Sequence, residues 1–197
     1  MTPVSLVNQI TVCAALPLLA GAAHAADAPV QPQWGPVSEP AMPTHVCATL
    51  SAGLTSDHGS MDAVDADGKN THPDQERLQS AIDACRDGAV RLVRGAHGED
   101  AFLTSPIQLR SGVTLWIDTG VTLYASRDPK DYDNGPGDCG TANMAKKKSC
   151  TSLIWTKNAD HAGIVGAGRI DGRGGSLLLS GPNAGKRSWW DVAWQTK

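Results

Sequence analysis

The sequence predicts an all-β chain wound into a parallel β-helix, with one α-helix covering its N-terminal end. Three observations predict it. The first is an internal echo: Gly112-Val113-Thr114-Leu115-Trp116 is followed eight residues on by Gly120-Val121-Thr122-Leu123-Tyr124. Each copy alternates large apolar residues with Thr, the period of two that marks a half-buried strand. The second is the connector Ile117-Asp118-Thr119, which has no room for a helix and no hairpin dipeptide. Short strands joined this way coil around an axis. The third is that Val90-Arg91-Leu92 is followed by Val113-Thr114-Leu115 at an offset of 23 residues, a plausible length for one turn of such a solenoid.

The elements follow in order. Residues 1–25 contain no Asp, Glu, Lys or Arg and include an apolar run from Ile10 to Ala22, too short to span a membrane. Ala23-His24-Ala25 has the small-x-small form of a signal-peptidase site, so 1–25 is expected to be a signal peptide and the mature chain to begin at Ala26. A positive n-region is missing, since the first basic residue is Lys69. Either the signal is atypical or the start lies elsewhere. Residues 26–44, rich in Pro and Ala, read as an extended leader, and 45–197 as the β-helix domain. Pro73 to Cys85 is the one clear helix. Pro73 suits its first turn, Asp74 and Glu76 suit its positive end, and Leu78, Ala81, Ile82 and Cys85 share one face. Gly88 is expected to end it.

Strands are expected at 89–93, 102–104, 107–109, 113–117 and 121–124. After an insertion spanning 127–152 they resume at 153–156, 163–166 and 168–172. A solenoid needs its terminal repeats covered, and the helix is well placed to cover the first. Lys146-Lys147-Lys148 lies in the insertion and reads as a solvated loop.

Composition narrows the function classes. The 197 residues suffice for one ordinary domain, and 21 Gly with 12 Pro imply frequent turns. A net charge of -3 gives no basic excess for nucleic acid or an anionic membrane. Cys13 would leave with the signal, and Cys47, Cys85, Cys139 and Cys150 remain. An even count in an exported chain suggests two disulfides. Three connectivities are open. Cys47–Cys85 with Cys139–Cys150 is favoured because each pair brackets one local unit. No C-x-x-C spacing suggests zinc.

Several segments together resemble glycoside hydrolase family 28, the polygalacturonases, over about Cys47 to Trp194. They are Gln79-Ser80-Ala81-Ile82-Asp83-Ala84-Cys85, Ala89 to Val93, Ser111 to Asp118, and Leu123 to Pro129 with Asp131-Tyr132. Cys139-Gly140-Thr141, Gly166 to Gly174 and Trp189-Trp190 complete the set. No single piece is specific, but their order and spacing are. The resemblance implies a right-handed parallel β-helix and inverting hydrolysis of α-1,4-galacturonan without metal or organic cofactor. That chemistry needs a carboxylic acid and a carboxylate base about 6.5–9.5 Å apart. The family's catalytic signatures, Asn-Thr-Asp, Asp-Asp, Gly-His-Gly and Arg-Ile-Lys, do not occur in this sequence. No catalytic residue is therefore carried over, and no substrate-binding residue is assigned. The chain is expected to be an N-terminal portion, inactive alone.

Other motifs read as structural. Asp171 is expected to be a turn aspartate. Gly181 to Lys186 has three residues between its glycines where a phosphate loop needs four, and is rejected. Gly163, Gly166 and Gly168 lack dinucleotide spacing and read as solenoid corners. Asp65-x-Asp67-Gly68 fails the calcium-loop pattern at two ligand positions and reads as a loop, with weak calcium binding left open. One of Leu115 and Trp116 must face outward. Trp189, Trp190 and Trp194 are expected to pack onto the solenoid rather than to stack on sugar rings.

The expected function is thus part of a secreted or periplasmic, pectin-degrading hydrolase. A pectic polysaccharide is its partner; no nucleic acid, membrane, metal or cofactor is expected, and the oligomeric state is open. The alternatives are a non-catalytic carbohydrate-binding solenoid, a polyuronide lyase on the same fold, and a degraded coding sequence without function.

Overall fold

The computed structural model describes residues 41–135, 137–144 and 150–195. The signal segment, most of the leader and Lys146-Lys147-Lys148 lie outside the described residues. Nine strands are described: β1 (Val46–Ser51), β2 (Gly88–Val93), β3 (Ala101–Thr104), β4 (Ile107–Leu109), β5 (Val113–Ile117), β6 (Thr122–Ala125), β7 (Ile154–Thr156), β8 (Gly163–Val165) and β9 (Arg169–Asp171). They form three parallel sheets, ordered β1-β2-β5-β8, β3-β6-β9 and β4-β7. Successive turns of the chain lay their strands side by side on the same sheets, which is the parallel β-helix that the echo predicted.

The register differs from the sequence estimate. Val90 pairs with Leu115, an offset of 25 residues rather than 23. A slip of two residues leaves every side chain on its own face, so the pattern alone could not distinguish the two registers. Inward residues then stack in columns. Val90, Leu115 and Ile164 make one, Phe102, Leu123 and Ile170 another, and Ile107 with Ile154 a third. Trp116 is the outward member of its pair. It lies under the guanidinium of Arg91 from the preceding turn, whose central carbon is 4.4 Å from the ring centre and which also grips Asp118. β3 shows no alternation because both its faces are covered. Phe102 faces the core, while Leu103 packs outward with Met61 and Tyr124 under the segment around Leu54.

The first end of the solenoid is closed by α1 (Gln75–Ala84). Leu78 and Ile82 are fully buried in the core beside Leu92 and Phe102. The helix also completes the hydrogen bonding of the first β3 and β4 edges. Asp74 N donates to Leu103 O, and Leu103 N donates to Asp74 Oδ2 at 2.7 Å. Gln79 does the same for β4: Gln108 N donates to its Oε1 at 2.8 Å and its Nε2 donates to Gln108 O at 3.1 Å. These side chains stand in for a missing strand. Two local expectations change. Pro73 precedes the N-cap, Asp74, rather than lying within the first turn. Gly88 does not end the helix: the chain leaves it at Cys85, already extended, and Gly88 opens β2 at φ +134° against His45.

Both disulfides form the favoured pairs. Cys47–Cys85 ties an irregularity in β1 to the residue after α1, and Cys139–Cys150 closes a loop in the insertion. Among the described residues no helix is long and apolar enough to cross a membrane.

Among the described residues no comparable helix covers the β8 and β9 edges. Leu115 and Leu123 are fully buried, but their column partners Ile164 and Ile170 are 45% and 41% exposed. β8 and β9 each pair on one side only. An open apolar edge is a template for association. The isolated chain is expected to be multimeric by light scattering, and Ile164→Lys with Ile170→Lys is expected to shift it toward monomer. A monodisperse wild-type monomer would contradict this.

Candidate functional site

The sites weighed in the sequence resolve as follows. Asp171 accepts from Arg173 N at 2.8 Å, the local turn contact expected of it. Gly181 to Lys186 forms turns, with Asn183 Nδ2 donating to Gly140 O. The Trp residues depart from expectation. On α2 (Trp189–Gln195), Trp189 meets Tyr132 edge-on at 5.6 Å, but Trp190 and Trp194 are 71% and 73% exposed. Val192, not a tryptophan, is the buried anchor of this helix.

The largest surprise is Asp65. Its carboxylate is wholly buried between two guanidinium groups. Arg127 donates from Nε at 2.9 Å, and Arg173 donates from Nη1 and Nη2 at 2.5 and 3.0 Å. Arg173 also reaches Asp62 Oδ1 at 2.7 Å, as does Ser176 at 2.8 Å. Burial alone would raise the Asp62 pKa, but the Arg173 and Ser176 hydrogen bonds and the Arg127 charge outweigh it and hold the carboxyl below its usual range. For Arg173, burial opposes the charge, and hydrogen bonds to Asp65 and Asp62 overcome it. The network is not legible in the sequence because the partners of its two carboxylates lie 62 to 114 residues away. Nothing local to Asp62 or Asp65 indicates two arginines.

This network floors a cleft of about 270 Å3 walled by Gly174, Gly175 and Trp190. Inverting hydrolysis needs a proton-donating acid with a raised pKa. Asp62 is shifted the other way, Asp65 is sealed by its arginines, and Asp171 is engaged by its own turn. These carboxylates are engaged in holding the structure. A second cluster also imitates catalysis. Thr71 Oγ1, His72 Nδ1 and Ser126 Oγ all meet one oxygen of Asp131. With imidazole and hydroxyl on the same acceptor and Ser126 fully buried, no base activates a nucleophile there. The cluster pins the segment before α1 to the insertion. No group of three or more His, Cys, Asp or Glu that could hold a metal occurs among the described residues.

A second groove, of about 470 Å3, runs along the corner between the first and second sheets. Arg94, Asp100, Gly120, Thr122 and Arg169 line it. Its walls are polar and its two arginines exposed, a chemistry suited to binding an anion rather than to bond cleavage.

No protein-family model matches the chain. The chain is 56% identical to a polygalacturonase of Ralstonia solanacearum over 182 residues, covering 91% of this chain and 34% of that protein. It is 40% identical over 121 residues to an endo-polygalacturonase of Pectobacterium carotovorum subsp. carotovorum, covering 61% of this chain and 28% of that one. The solved polygalacturonase from Erwinia carotovora ssp. carotovora superposes with a TM-score of 0.60 at 35% identity, over 81% of this chain and 36% of that chain. The shared fold is the right-handed parallel β-helix. The chain spans about a third of the length of the polygalacturonases it matches. In sequence and in fold the chain is similar to a portion of the polygalacturonases, as its resemblance to glycoside hydrolase family 28 implied.

Proposed function

We propose that this chain is the N-terminal portion of an exported polygalacturonase that cuts α-1,4-galacturonan in pectin with inversion. Residues 1–25 direct export, 26–44 are a leader, and 45–197 build the capped first turns on which later turns stack. The observation that carries this is 56% identity to a polygalacturonase over 91% of the chain, with only 34% of that protein covered. Two disulfides support an oxidising compartment, outside the cell or in the periplasm. Asp62, Asp65, Asp131 and Asp171 are all taken up by local or ionic contacts, which supports assigning hydrolysis to turns outside this stretch.

Two assays test the reading. The purified chain is expected to release no reducing sugar from polygalacturonate above a mock preparation. A chimera in which residues 45–195 of this chain replace the matched stretch of the Ralstonia solanacearum polygalacturonase is expected to hydrolyse polygalacturonate. A folded but inactive chimera, or turnover by the chain alone, would contradict it.

A further inference from the structure

We infer that the groove containing Arg94 and Arg169 is a binding subsite for the carboxylate groups of a uronate polysaccharide laid along the solenoid axis. The inference rests on the pectic reading above and gives that polymer a place on these turns. The groove is built from successive corners. Arg94 and Asp100 bound the corner of the turn holding β2 and β3, Gly120 that of the turn holding β5 and β6, and Gly168 and Arg169 that of the turn holding β8 and β9. Stacked turns repeat every ~4.8 Å. A groove crossing three of them therefore runs parallel to the axis and suits an extended polymer rather than a compact ligand.

Its charges are arranged for an anion. Arg94 is fixed: Nη2 donates to Gly98 O at 2.7 Å, and the guanidinium lies over Gly120. A β-carbon on Gly120 would sit 3.2 Å from Arg94 Nη1, and the backbone there has φ +75°, so glycine both makes the corner and leaves room for the cation. Arg169 is exposed and makes no side-chain ion pair among the described residues. The one acidic group in the groove, Asp100, has both oxygens taken up by Ser56, N at 2.8 Å and Oγ at 2.9 Å. Glu99 beside it turns back onto His97 N. Two guanidinium groups thus face the groove against one occupied carboxylate. The fork of a guanidinium matches a carboxylate in two parallel hydrogen bonds. Small residues on the floor, Gly120, Ala167 and Gly168, allow a sugar ring to approach closely.

The test is calorimetric titration of the full chain with a galacturonate oligomer at low salt, against a neutral α-1,4-glucan oligomer of equal length and against polyglutamate. Binding is expected for the galacturonate oligomer only, weakening as salt is added. Arg94→Ala and Arg169→Ala are each expected to weaken it at least about tenfold, the scale of one charge-assisted pair. Arg94→Lys, which keeps the charge without the fork, is expected to recover part of the loss. Arg86→Ala, on another corner, serves as the control for a change in surface charge, and the variants' thermal transitions report folding. Equal binding by wild type and both alanine variants, equal binding of glucan or polyglutamate, or no binding by the wild type would overturn the subsite. The readout needs no catalysis. An active chimera with no arginine-dependent binding removes only this inference, whereas arginine-dependent binding with an inactive chimera removes only the polygalacturonase reading.

Discussion

Asp65→Ala is expected to lower the stability of the chain by about 3–5 kcal/mol, the cost of removing one partner from a buried ion pair. The reason lies in what remains. The Arg127 and Arg173 side chains are 8% and 3% exposed, so neither can recover its charge hydration in water. Arg127 keeps the carbonyl oxygens of Asp62 and Leu177, and Arg173 keeps Asp62 Oδ1 and Ala125 O, so the half-exposed Asp62 carboxylate, 2.7 Å from Arg173 and 3.7 Å from Arg127, is left to face both charges. Asp65→Asn preserves shape and one acceptor and should cost less. Replacing all three together by Leu, Met and Met should cost less still, because it removes the orphaned charges as well as the pair. Urea unfolding of the three variants checks the order. A triple variant weaker than Asp65→Ala would show that packing around the aliphatic stems, not charge compensation, dominates here.

The same network gives acid sensitivity a sign. The folded pKa of Asp62 lies below its usual value, so its contribution is complete above the unfolded carboxylate pKa of about 3.9. It is lost as pH falls through the lower folded value. Neutral to mildly acid conditions therefore leave this part of the network intact.

What the sequence made legible was local. The alternation in Val113 to Ile117 and its echo established strands, faces and the absence of hairpins, because period-two burial is written residue by residue. The covering helix was legible from Leu78 and Ile82. What it would bond to was not: Asp74 and Gln79 stand in for a strand only because β3 and β4 lie beneath them. The exposure of Trp190 and Trp194 differs from the expected packing for the same reason, since helical spacing says which residues share a face and not how far that face is covered. The Asp65 network was invisible because it joins segments brought together only by the winding of the solenoid. The groove of Arg94 and Arg169 is equally non-local: each arginine sits alone in its corner of the sequence, and the stacking of turns makes them neighbours.

Loss of the Cys47–Cys85 bridge, by paired alanine substitution, is expected to cost about 4 kcal/mol, against about 3 kcal/mol for Cys139–Cys150. In the loop-closure account the difference follows from sequence separations of 38 and 11 residues. Position sharpens it. The first bridge holds β1 against the end of α1, and α1 covers the core and bonds the β3 and β4 edges. If α1 loosened with the bridge, the β3 and β4 edges and the apolar core beneath the helix would be uncovered, and association should rise together with the loss of stability. The second bridge closes a loop within the insertion, away from α1, and gives no such coupling. Chemical unfolding and light scattering on the two paired variants separate the effects. An equal cost for both pairs, with no change in association, would show that Leu78, Ile82 and the Asp74 and Gln79 hydrogen bonds hold the helix in place without the crosslink.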